Sequence, residues 1–126
     1  MIKYIRQNDT KPYLQAVISE VLSNPLRAEP VDLTSCTVKF IMRRTGAAAA
    51  KVGAAVEIVD GLNGVVQYKW AAADTDTPGD YIAEFEVTDT GNKVTTYWDL
   101  RTAEAIDDGD PPEPLIIRVL PELETA

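Results

Sequence analysis

Glu84 and Glu86 stand two residues apart in Tyr81-Ile82-Ala83-Glu84-Phe85-Glu86-Val87, a spacing that puts both carboxylates on one side of an extended chain. At about 3.3 Å per residue they lie roughly 7 Å apart, a separation at which two carboxyl groups can share glycoside hydrolysis. The same pattern describes the wet face of a strand, and nothing in the sequence shows a cleft around the pair. Asp107, Asp108 and Asp110, with Glu113, offer hard oxygen ligands of the kind calcium takes. Their spacing is not that of an EF-hand loop, and Pro111 and Pro112 follow at once, so an acidic surface loop accounts for them. Asp74 and Asp76 read the same way. Cys36 is the only cysteine, and a thiol becomes a nucleophile only when a neighbour raises its thiolate fraction. The chain has no histidine to do so, and serine catalysis lacks the same base, with a lysine variant left open. Cys36 is expected to be a small packing residue. No catalytic residue, metal ligand or cofactor is assigned.

The aromatic residues suit binding better than catalysis. Trp70 belongs to the inward set of its strand and is expected in the core. Tyr97 and Trp98 are adjacent, so in a strand they point to opposite faces and one of them meets solvent near an edge. The exposed member is a candidate interface anchor. Ala48 and Lys51, in a glycine-bracketed loop, and Asp107, Asp108 and Asp110, in the acidic segment, are the other candidate contact residues.

Composition narrows the classes further. Twenty acidic residues against twelve basic ones give a net charge of -8 and a pI near 4.4. Nucleic-acid binding draws most of its affinity from cations on phosphate, and anionic membranes ask for the same, so neither partner is expected. One cysteine forms no intrachain disulfide, which suits a reducing compartment. No apolar run approaches the roughly 20 residues that cross a bilayer. The start, Met1-Ile2-Lys3-Tyr4-Ile5-Arg6, breaks its apolar residues with charges and does not read as a signal peptide.

The elements that must carry these residues are strands. After a Pro78-Gly79 type II turn, Tyr81, Ala83, Phe85 and Val87 alternate with Ile82, Glu84, Glu86 and Thr88, a half-buried antiparallel pattern. Val38, Phe40 and Met42 alternate in the same way within Thr37–Arg44. Ile2–Arg6 forms a first strand. Tyr13–Leu22 forms a second, with Leu14, Ala16 and Ile18 on one face and Val17 and Val21 on the other; its spacing also fits a helix, and the neighbouring strands favour strand. Gly46–Gly53 is expected to be a mobile loop tip, too short for a stable helix. Ala55–Asp60, with Val56 and Ile58 inward, and Val65–Ala71, with Val66, Tyr68 and Trp70 inward, form a hairpin across Gly61-Leu62-Asn63-Gly64. Asp74–Gly79 is loop, Lys93–Trp98 a strand, Asp99–Pro114 an acidic irregular segment, Leu115–Leu120 the closing strand and 121–126 a short tail. The sum is one domain over 1–126, an all-β antiparallel sandwich of seven or eight strands with Greek-key connections.

Three stretches in this order are similar to a known family: Ile2–Thr10, Pro30–Phe40, and Gly64–Tyr68 followed by Pro78–Val87. Together they resemble the N-terminal domain family of the phage baseplate upper protein, over roughly residues 2 to 98. The resemblance implies an immunoglobulin-like sandwich of tailed-phage virions and prophages. Asn8 stands where the family pattern has glycine, and asparagine tolerates the left-handed geometry that glycine provides. Ser35 and Cys36 occupy a turn where glycine is again expected, and the acidic segment is longer than the pattern. What the resemblance implies is a non-enzymatic structural or adaptor protein, made in the host bacterial cytoplasm and resident in the virion. It would assemble in multiple copies with other virion proteins on a tail, baseplate or neck. Capsid decoration and a carbohydrate-binding module using exposed aromatics are the alternatives.

Overall fold

The computed structural model describes residues 1–102 and 111–123 and is all-β, with no α-helix among the described residues. The larger sheet contains β1 (Ile2–Arg6), β5 (Thr37–Arg44), β6 (Val52–Ala55), β9 (Gly79–Thr88), β10 (Val94–Tyr97) and β11 (Leu115–Leu120). Its order is β1-β11-β9-β5-β6, with β10 also against β9. The β1–β11 pair is parallel and the rest are antiparallel. The opposing layer has β2 (Leu14–Val17), β8 (Val65–Tyr68) and β7 (Glu57–Asp60) in the order β2-β8-β7. A two-stranded ribbon of β3 (Ser19–Leu22) and β4 (Arg27–Pro30) continues it.

Alternation decides which face is buried. Phe40 and Phe85 face each other across β5 and β9, as do Val38 with Val87 and Met42 with Ala83, and all six are buried. Phe40 meets Tyr68 of the other layer at 4.9 Å between ring centroids, Trp70 at 5.8 Å and Phe85 at 5.5 Å. These tilted and edge-on contacts are the geometries aromatic quadrupoles favour, and they join the two layers. Tyr68 is amphipathic in place: its ring packs in the core while its hydroxyl donates to Asp74 Oδ2 at 2.6 Å. Burial, then that carboxylate, pushes the phenol's pKa upward.

β10 and β11 share one edge of β9, end to end. β11 pairs with Gly79–Ala83 and β10 with Phe85–Thr88. Between them the chain leaves the sheet at Asp99 and returns at Pro114, where these residues form an isolated antiparallel bridge. Leu100 is buried just beyond, and its N–H donates to the Glu113 carbonyl at 2.8 Å. β10 and β11 therefore make a nearly continuous edge along β9, joined at the Asp99–Pro114 bridge.

Four details depart from the sequence reading. Gly46–Gly53 does not end as loop: Val52 and Gly53 open β6, hydrogen-bonded along β5, and the chain changes layer at Val56 to become β7. The run Tyr13–Leu22 breaks at Ile18, whose N–H donates to Gly64 O while its carbonyl accepts from Val31 N–H. Ser19 is buried directly after buried Ile18, so the alternation slips by one residue. Val21, paired with buried Ala28, then takes the inner side. Gly79 is already strand, with φ +144, and not the corner of a type II turn. A Cβ there would come within 3.2 Å of the Arg44 guanidinium. A single 3₁₀ turn over Ala72–Thr75 occupies the start of the expected loop. The non-glycine turn residues behave as glycine would: Asn8 has φ 66 and Ser35 φ 64.

Candidate interaction surface

One flank of the sandwich is built from unpaired edges. Among the described residues, β1 pairs only with β11, β10 only with β9, and β2 and β3 each lack a partner on one side. At one end β1 and β2 border a cleft of about 260 Å³, whose lining includes Lys3, Tyr4, Tyr13, Gln15 and Trp70. Tyr13 lies between two cations, Lys11 Nζ at 5.7 Å and Lys69 Nζ at 5.6 Å from its ring centroid, and Arg118 lies 5.8 Å from the centroid of Tyr4. At the other end β3 and β10 border a groove of about 200 Å³ lined by Ser19, Glu20, Val21, Thr96, Tyr97, Trp98 and Asp99. Leu100 and Thr102 lie on the same flank, beside Met1, Lys3 and Val17.

Charge at the second end is mostly acidic. Burial, then the charge of Glu20, pushes the Tyr97 hydroxyl pKa upward. Burial works against the Asp99 carboxylate, yet hydrogen bonds from Arg101 and from the Glu113 and Arg101 backbone N–H groups hold its pKa below the usual range. The Asp99–Arg101 pair closes at 2.6 Å beside the Asp99–Pro114 bridge. Glu20 faces Glu29 directly across the β3–β4 ribbon, and Glu86 faces Thr96 across β9 and β10. Among the described residues, the buried Ser19 hydroxyl has no hydrogen-bond partner.

Tyr97 and Trp98 line this groove together, Tyr97 packed against the core and Trp98 49% exposed. Ala48 lies elsewhere, in a shallow depression on the outer face of the larger sheet with Ile41, Arg43, Ala50, Ile82 and Glu84. Lys51 is held down, its ammonium 2.6 Å from Asp76 and its backbone N–H on the Met42 carbonyl. Asp107, Asp108 and Asp110 lie outside the described residues. Glu84 and Glu86 border different depressions, Glu86 with Thr37, Lys39 and Thr88, so they do not converge on one pocket. Cys36 is partly buried and its thiol contacts the Thr34 carbonyl at 3.7 Å. No group of three or more potential ligands for a metal occurs among the described residues.

Sequence reasoning missed Ser19, Glu20 and Val21, and also Tyr4 and Tyr13. Each becomes part of a surface only when edges far apart in the chain meet. The one local sign was the run Val17-Ile18-Ser19-Glu20-Val21, where two buried residues in succession break the period.

The BppU N-terminal domain model matches residues 19–99, well over half of the chain. The match takes in the Pro30–Phe40 and Gly64–Val87 stretches and both borders of the β3–β10 groove, and leaves β1, β2 and β11 outside. No curated protein matches the chain. An all-β fold with these stretches in family order fits that match: the chain belongs to the family of the BppU N-terminal domain, a family of phage baseplate structural proteins.

Proposed function

We propose that this chain is a non-enzymatic adaptor of a tailed-phage or prophage virion, docking in several copies onto a symmetric tail, baseplate or neck. Residues 1–126 act as one immunoglobulin-like, Greek-key domain whose core only packs. Contacts fall to the loops and edges, because these vary in shape without disturbing the core. Trp98, backed by Tyr97, anchors one contact; Ala48 and Lys51 in the Gly46–Gly53 stretch, and Asp107, Asp108 and Asp110 in the acidic part of the sequence, supply others. The family match carries the reading, and the flank of unpaired edges supports it, since an edge left open is a template for association. The net charge of -8 assigns neither nucleic acid nor membrane as partner. The protein is made in the host cytoplasm and resides in the virion.

A second reading, carbohydrate binding, draws on exposed Trp98 beside Glu20 and Thr96. Glycan-array binding that disappears in Trp98→Ala supports it. The adaptor reading is tested by deleting the gene and imaging the particles. Particles that lack a complete baseplate and regain it on complementation support the reading. Complete, infectious particles without the protein overturn it, and antibody labelling of the head would move the protein to capsid decoration.

A further inference from the structure

We infer that the β10 edge, together with the groove it forms with β3, receives an extended, basic segment of a partner virion protein as an added strand. The inference rests on the adaptor reading for the kind of partner and on four local observations for the site.

The first is the direction of the free backbone groups. Asp89 N–H donates to the Lys93 carbonyl at 3.0 Å, which makes 89 and 93 a hydrogen-bonded pair of the β9–β10 hairpin. Antiparallel pairs alternate, so Thr95 and Tyr97 exchange bonds with β9, while Val94 and Thr96 turn their N–H and C=O outward. Among the described residues these outward groups have no partner strand. The second is the character of the edge. Val94-Thr95-Thr96 is uncharged and β-branched, without proline or an inward charge, so shortness is the one usual protection of a free edge that this four-residue strand carries.

The third is the unsatisfied hydroxyl of Ser19, a residue only 4% exposed, on the opposite wall of the same groove. A buried hydroxyl left unbonded is costly, and a polar side chain entering from the added strand would satisfy it. The fourth is charge. Glu20 borders the groove and faces Glu29 across the β3–β4 ribbon. Glu20 forms no ion pair among the described residues, so the balance in the groove favours a cationic occupant. Trp98, rigid and half-exposed at the end of the edge, is the anchor for an apolar residue of the incoming strand. Main-chain bonds would then supply affinity and alternate side chains specificity, as in other strand additions.

The test uses an array of overlapping peptides of about twelve residues, long enough for one strand, covering the other proteins of the same virion. Peptides that bind are expected to alternate apolar or small residues with Lys or Arg, and to slow amide exchange at Val94 and Thr96. Thr96→Pro removes an outward N–H without touching the bonds to β9, and a proline of this kind is tolerated on an edge. It should weaken binding by about tenfold or more while the thermal midpoint stays close to wild type. Glu20→Lys should weaken basic peptides, and Trp98→Ala should weaken all of them. Binding that leaves Val94 and Thr96 exchange unchanged overturns the inference, as does an array with no binding peptide, or Trp98-dependent binding to glycans alone. If the protein occupies the baseplate with β10 open to solvent, this inference fails and the adaptor reading stands. If the protein is absent from virions, the adaptor reading fails, whatever the peptides do.

Discussion

Replacing Gly64 by alanine tests the junction on which the second layer hangs. Gly64 has φ +70, and its carbonyl accepts the Ile18 N–H at 2.8 Å. A Cβ built at this position would lie 2.5 Å from the Ile18 carbonyl oxygen and 3.0 Å from that of Val31. Both obstacles are backbone atoms, which cannot swing aside as a side chain does. The left-handed conformation costs an alanine about 1 kcal/mol. Relieving the clash must displace β4 or the β2–β3 break, weakening one or both of the Ile18 hydrogen bonds at about 1 kcal/mol each. The total is about 2–3 kcal/mol. Gly46 provides the control: it has φ +87, but nothing lies within 4 Å of its virtual Cβ, so Gly46→Ala should cost only about 1 kcal/mol. Urea denaturation of both variants measures the difference, and in thermal melts each kcal/mol should move the midpoint by about 3–5 °C for a chain of this length. Equal losses from the two substitutions would refute the argument, because only the crowding separates them.

Phe40→Ala empties the centre of the aromatic cluster and should cost about 3–5 kcal/mol in urea melts, and a loss under about 1 kcal/mol would mean that the layers meet elsewhere. Trp70→Ala should destabilise strongly while Trp98→Ala stays within about 0.5 kcal/mol, since Trp70 is buried and Trp98 half-exposed; similar losses would contradict the assignment of faces. The Asp76, Asp80 and Asp99 carboxyls have lowered pKa values: Lys51 acts on Asp76, Arg118 on Asp80, and the Arg101 and backbone donors outweigh burial at Asp99. A depressed carboxyl stabilises the fold above its unfolded pKa and loses that contribution as pH falls through the folded value. Stability should therefore decline below about pH 4, and Asp99→Asn should flatten part of the decline in melts taken down to about pH 2.

The parts of the fold legible in advance were those where one sheet face is buried along a whole strand. Tyr81, Ala83, Phe85 and Val87 in β9, and Val38, Phe40 and Met42 in β5, keep strict alternation, and all seven are buried. The break at Ile18 and the change of layer at Val56 were hidden, because backbone pairing decides them and side-chain period does not record pairing. Gly53 misled for a related reason: glycine marks loops, yet here it lies in β6, opposite Ile41. The candidate surface was legible by half. Adjacent aromatics at 97 and 98 required one exposed face, and Trp98 takes it, but the opposing wall of Ser19, Glu20 and Val21 comes from tertiary juxtaposition. The tempting Glu84 and Glu86 sit on the outer face in two separate depressions, while the groove opens at the edge.

The claim that this chain is an assembled part of the baseplate is tested most directly by quantitative mass spectrometry of virions purified from a phage that encodes it, with heads and tails separated. The account predicts its peptides in the tail fraction, at several copies per particle and in fixed ratio to other baseplate proteins. Virions free of the protein would contradict it.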